Sequence, residues 1–159
     1  MDYLKLLALS YFLYFGNLYA QIKAPTINWI SWEELDVKLE KDPKKTLVFF
    51  HADWCAYCKK IDRAVFTKQE VINKINADYY AVRMNVETSD TIYFDNNKFV
   101  NTQALTKRNG VHELALLLAS RTGKAFSLPV TLLFSQKFEV NKRIFEYYTS
   151  ASLLNYLED

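Results

Sequence analysis

Apolar residues recur along this chain in two different periods, and the switches between them lay out a succession of elements. From Ile30 onward, Trp32, Leu35 and Leu39 share one helical face, and Pro43 ends the helix. Its start carries Ser31 and Glu34 at capping-box spacing, with Ile30 and Leu35 as a hydrophobic staple. Thr46-Leu47-Val48-Phe49-Phe50-His51-Ala52 is a continuous run of strand length and reads as a central strand covered on both faces. Helical spacing returns between Cys55 and Asn76, through Ile61, Ala64 and Val65. Thr67 and Glu70 make a second capping box, which predicts a break and a new helix bearing Val71, Ile72 and Ile75.

Tyr79 to Val86 reads as another strand, and Glu87 to Asn101 as a polar loop docked by Tyr93, Phe94 and Phe99. A helix follows late in the stretch from Asn101 to Ser120, with Leu114, Leu117 and Leu118 at helical spacing. Pro129 to Phe134 is a third strand. Ile144 to Thr149 is predicted as a fourth, antiparallel to the third, and Ser150 to Asp159 as a closing helix with Leu153, Leu154 and Leu157. Helices interleaved with strands, without a repeat or linker, predict one α/β domain with a central mixed sheet flanked by helices, over residues 21–159.

Residues 1–20 stand apart. Lys5 is followed by an apolar run from Leu6 to Phe15, then Gly16, Asn17 and a small-residue site ending at Ala20. That is the pattern of a cleaved signal peptide, and the run is about half of the roughly 20 apolar residues a membrane anchor needs. The chain is therefore expected to be exported.

Composition narrows the function classes. With 159 residues, 50% of them hydrophobic and only three Gly and three Pro, disordered and low-complexity chains are excluded. A net charge of +2 without like-charge runs gives no nucleic-acid stripe or polybasic membrane patch.

The two cysteines carry the chemistry. Trp54-Cys55-Ala56-Tyr57-Cys58 follows a strand and opens a helix, where the first sulfur meets unsatisfied N–H groups and the positive end of the helix dipole. This favours a dithiol–disulfide redox centre. A zinc site would need four ligands gathered together, and the chain offers no second Cys pair, only the scattered His51 and His112. A purely structural disulfide would close too small a loop to stabilise much. No metal or cofactor is expected.

The run Ala52-Asp53-Trp54-Cys55-Ala56-Tyr57-Cys58-Lys59, with Leu128-Pro129-Val130-Thr131-Leu132-Leu133-Phe134, resembles the thioredoxin superfamily over most of residues 30–159. Among its members the chain is most similar to exported proteins such as the C-terminal domain of the bacterial thiol:disulfide interchange protein. The resemblance implies a thioredoxin-like fold, Cys55 as attacking thiolate and Cys58 as resolving thiol. It also implies Trp54 as part of the surface beside the site, and a cis peptide before Pro129, with the Leu128 backbone presented to an extended substrate.

Two departures stand out. The family often carries a buried acid six residues before the first cysteine, where this chain has Phe49; and Ala56-Tyr57 replaces the Gly-Pro of thioredoxin itself. Asp62, four residues after Cys58 on the same helical face, is a candidate substitute acid, the other reading being a solvated carboxylate. Lys59 would support the thiolate. His51 reads as a packed residue rather than a proton shuttle, and His112 begins a helix.

Lowering a cysteine pKa from about 8.5 to about 7 needs about 2 kcal/mol, within reach of a helix N-terminus and a lysine. The value of about 3.5 found in strong oxidants needs roughly 7 kcal/mol, and no cation lies between the cysteines. The expectation is a monomeric protein-disulfide reductase in the bacterial periplasm, supplied with electrons by a membrane partner. The alternatives are a non-catalytic peptide-binding module and a disulfide oxidase or isomerase.

Overall fold

The computed structural model describes residues 25–158, so the expected signal peptide at residues 1–20 lies outside the described residues. Five strands form the main sheet: β1 (Trp29–Ile30), β2 (Lys45–His51), β3 (Tyr79–Asn85), β6 (Val130–Phe134) and β7 (Val140–Ile144). Their order is β1-β3-β2-β6-β7. β4 (Ile92–Phe94) and β5 (Asn97–Phe99) make a separate hairpin. Among the described residues the sheet is flanked by five α-helices: α1 (Trp32–Lys41), α2 (Ala56–Ala64), α3 (Gln69–Asp78), α4 (Glu113–Ala119) and α5 (Ser150–Glu158).

β2 is central. It runs parallel to β3, from Lys45 opposite Tyr79 to His51 opposite Asn85, and antiparallel to β6, from Thr46 opposite Phe134 to Phe50 opposite Val130. Leu47, Val48, Phe49 and Phe50 are all buried, because both faces are covered, which is why this strand reads as one unbroken apolar run. Cross-strand neighbours share a face, so Phe49, Arg83, Thr131 and Ile144 form one row across β2, β3, β6 and β7. On that face the ring of Phe66 meets those of Phe49 at 5.0 Å and Trp29 at 5.2 Å. On the opposite face Trp32 of α1 lies 6.4 Å from Phe50 and 5.1 Å from Phe94, and its indole N–H donates to the Met84 sulfur at 3.3 Å.

The element order follows the expected one, with local differences that have physical reasons. The Ser31 hydroxyl caps α1 by accepting from the Glu34 N–H at 3.1 Å. The second expected capping box does not form: Thr67 turns its hydroxyl back to the Arg63 carbonyl at 2.8 Å, and α3 starts after Lys68 without a side-chain cap. Hydroxyl-to-carbonyl bonding of this kind competes with capping.

The stretch read as a loop from Glu87 to Asn101 contains the β4–β5 hairpin. Asp95 and Asn96 occupy its turn with φ of 50° and 57°, a conformation that Asp and Asn tolerate. α1 holds the hairpin through two carboxylates: the Tyr93 N–H donates to Glu33 and the Asp95 N–H to Asp36, each at 3.1 Å. Phe94 is buried and Phe99 partly so, whereas Tyr93 faces solvent.

Two further corrections concern the C-terminal half. The fourth large strand is Val140–Ile144, not Ile144 to Thr149; it pairs antiparallel with β6 as expected, but only Ile144 is shared with the predicted segment. β7 is an edge strand with a half-exposed pattern, so its polar sequence carries little apolar signal, while the aromatic run after it packs without joining the sheet. In α4, Leu114 is buried and Leu118 partly buried, but Leu117 is 67% exposed, since the helix buries a narrower stripe than its leucines cover.

Candidate functional site

The chain leaves β2 at His51 and turns at once into α2. The Cys55 N–H donates to the Ala52 carbonyl at 3.0 Å, closing the turn, and Cys55 is the N-cap of α2. Its sulfur accepts from the Cys58 N–H at 3.1 Å, so the thiol side chain occupies the place usually taken by a capping oxygen. Cys55 and Cys58 are joined by a disulfide and both are buried, Cys58 the more completely. An N-cap sulfur that receives a helix N–H is one whose anionic form the helix stabilises once the bond is reduced.

The peptide bond between Leu128 and Pro129 is cis. Pro129 precedes Val130, which pairs with Phe50, so the antiparallel register brings it to the same end of the sheet from which the cysteine turn departs. Pro129 is buried and Leu128 partly exposed.

The remaining candidate residues distribute around this pair. Trp54 is 61% exposed, and its indole N–H donates to Glu87 at 2.8 Å. Lys59 is exposed on α2. Asp62 is half-buried and paired with Arg83 at 2.8 Å. Burial holds the Asp62 carboxyl above the ordinary aspartate range, against the opposing pull of the Arg83 guanidinium. Phe49 is fully buried beside Arg83 in the cross-strand row, so the place of an acid on the strand is filled by a ring.

His51 is partly buried and stacks on Phe49 at 6.0 Å. Burial, reinforced by Arg83, lowers its pKa to about 4, so the ring is neutral at pH 7. His112 is fully buried and caps α4: its Nδ1 accepts from the Leu114 N–H at 3.2 Å, and its Nε2 lies 3.1 Å from the Asp90 carbonyl. With the Nδ1 lone pair so used, the proton belongs on Nε2. Burial lowers its pKa as well.

Several residues of this region carry no local signal of their role. Tyr148, read as part of a strand, is buried and shares a hydrogen bond with Thr131 at 2.7 Å; burial pushes its phenol well above the usual range. Tyr147 approaches Tyr57, at 6.1 Å between ring centroids, and Lys60 stands 4.4 Å above the Tyr147 ring. Arg83 did have a signal, as the one charge in an otherwise apolar strand interior. Among the described residues no group of three or more His, Cys, Asp or Glu side chains is placed to hold a metal ion. No helix of the described residues is long and apolar enough to cross a membrane.

Comparison with known proteins places this geometry in context. No curated protein matches the sequence. Solved structures do match in fold: the oxidoreductase DsbH, 19% identical over 89% of this chain and 90% of that one, with a TM-score of 0.57. A thioredoxin from Thermus thermophilus is 17% identical over 84% and 85%, with a TM-score of 0.58. The oxidised C-terminal domain of DsbD from Neisseria meningitidis is 17% identical over 79% and 89%, with a TM-score of 0.50. The family model described as a thioredoxin-like domain matches residues 33–159. Since that match runs from α1 to the end of the chain and takes in both cysteines and the cis-proline, this protein belongs to the thioredoxin-like family.

Proposed function

We propose that the protein is an exported protein-disulfide reductase whose Cys55–Cys58 dithiol passes two electrons to disulfides in other proteins. In this reading the Cys55 thiolate attacks one substrate sulfur, forming a mixed disulfide and releasing the other sulfur as a thiolate. Cys58 loses its proton and attacks Cys55, so the enzyme ends as the disulfide and the substrate as two thiols. Asp62, at helical spacing from Cys58 and held above the usual aspartate range, is the acceptor of the Cys58 proton. Trp54 and Lys59 border the thiolate, and the Leu128 backbone before cis-Pro129 pairs with the extended substrate.

The single observation that carries this reading is the Cys55 sulfur at the N-cap of α2, accepting from the Cys58 N–H, at the same end of the sheet as the cis-proline. Residues 1–20 serve as the export signal, which sends the monomeric chain to the bacterial periplasm. No glutathione pool reaches that compartment, so a membrane electron donor must regenerate the dithiol.

The test is the reduction potential of the Cys55–Cys58 pair, by equilibration with dithiothreitol or glutathione. A value near thioredoxin's, about −270 mV, supports a reductant. A value near about −120 mV would identify an oxidase instead. A pair that cannot be cycled would leave a peptide-binding module.

A further inference from the structure

Two large aromatic side chains face solvent around the disulfide, Trp54 at 61% exposure and Tyr57 at 60%. The strand order sends them to opposite flanks. β3 lies on one side of β2, and β6 and β7 lie on the other. Trp54 is tied to Glu87, two residues past the end of β3. Asp53 accepts a long hydrogen bond from Asn85 at 3.4 Å, and Asp90 is exposed in the same loop, so this flank is acidic.

Tyr57 leans toward Tyr147, three residues past the end of β7. Lys60 is held over the Tyr147 ring, and Lys59 and Arg63 are exposed on the same helix. Arg121, 4.0 Å over the Phe145 ring and donating to the Ser127 hydroxyl at 2.8 Å, adds a cation near the segment that leads to Pro129. Exposed Glu146 is a countercharge here, and Asp62 of the same helix is paired with Arg83, leaving the flank basic on balance. The disulfide thus sits between a carboxylate-bearing flank and an aromatic, cationic one.

We propose that Tyr57, Tyr147 and Lys60 form a subsite that selects protein disulfides flanked by an acidic residue next to an aromatic one. The ring pair offers apolar area to the aromatic side chain. An ammonium held over a ring keeps its N–H groups for a carboxylate while its stem is already ordered, so little further entropy is lost on binding. The opposite flank repels the same carboxylate through Asp53, Glu87 and Asp90, which fixes the direction in which the segment lies. This deepens the reductase reading and rests on it.

The test uses the full chain, reduced beforehand and mixed in single turnover with three fluorogenic disulfide peptides. These differ only in the residues beside the cysteine: Asp-Tyr, Lys-Tyr or Ser-Ser. The wild type reacts about ten-fold faster with Asp-Tyr than with Lys-Tyr, a margin that shrinks on raising salt from 0.05 to about 0.5 M. Lys60→Glu reverses the order, Lys60→Gln narrows the margin, and Tyr147→Ala slows both tyrosine peptides toward the Ser-Ser rate. The reduction potential stays at the wild-type value in Lys60→Gln. Equal rates with all three peptides, or an unchanged order in Lys60→Glu, overturn the subsite while leaving the reductase standing. No reaction with any peptide overturns the reductase reading itself.

Discussion

Arg83 of β3 reaches across to Asp62 of α2 at 2.8 Å, beside the buried ring of Phe49. In the proposed mechanism the acid that serves Cys58 thus comes from the helix rather than from the strand. Burial raises the Asp62 pKa and Arg83 opposes that shift, so removing the guanidinium leaves burial unopposed. Arg83→Met is therefore expected to move the acid limb of the pH–rate profile for mixed-disulfide resolution to higher pH. Asp62→Asn should flatten that limb and slow resolution about a hundred-fold at pH 7, the lower end of the range for a lost proton acceptor. Stopped-flow decay of a trapped mixed disulfide between pH 4 and 9 reads both, and an Asp62→Asn profile that overlays the wild type would dismiss Asp62 as the acceptor.

The two histidines make stability depend on pH in a definite direction. Both folded-state pKa values lie below the unfolded value of about 6.5, so the unfolded chain binds more protons in acid. Their contribution is fully present above about pH 6.5 and is lost as pH falls toward about 4, the folded value of His51. Urea midpoints should fall across that window, and His51→Phe should remove part of the slope.

Phe49 is fully buried, with the Phe66 ring 5.0 Å away at a steep angle. Phe49→Ala should cost about 3–5 kcal/mol, from lost burial and a residual cavity. Phe49→Asp, which restores the family's strand acid, places a carboxylate among rings and should cost at least as much. Chemical denaturation checks both, and a Phe49→Asp protein as stable as the wild type would mean the site already accommodates a charge there.

Leu114 and Leu117 sit three residues apart on α4 but in opposite environments. Leu114→Ala should cost about 2–5 kcal/mol, whereas Leu117→Lys should stay within about 0.5 kcal/mol of the wild type. Thermal unfolding of the two variants separates a packed from a solvent-facing position.

Much of this architecture is legible in the sequence where one residue's neighbours in the chain decide its fate. The central strand announces itself because β2 is covered on both faces, and Ser31 caps α1 through a bond only three residues long. The Cys55–Cys58 pair and its helix lie within one turn. The cis bond before Pro129 was read from family resemblance, since nothing local dictates it. What was missed depends on distant partners. β1 is two residues long and exists because Trp29 and Ile30 align with Ala81 and Val82. The β4–β5 hairpin had a local cue in Asp95-Asn96, but its place is set by carboxylates of α1 about sixty residues earlier. Tyr147 and Tyr148 lie outside the sheet because the place beside β6 is taken by the more polar β7, whose half-exposed sequence carries little strand signal.

The tethering of the hairpin to α1 also ties the early part of the chain to residues far beyond it. α1 lies early in the chain, yet Trp32 needs Phe50, Met84 and Phe94, and Glu33 and Asp36 need backbone that follows much later. Contacts of such long span close only after their loop entropy has been met. α1 is thus a clasp that cannot close before the chain through Asp95 is in place, although none of these contacts draws on β6 or β7.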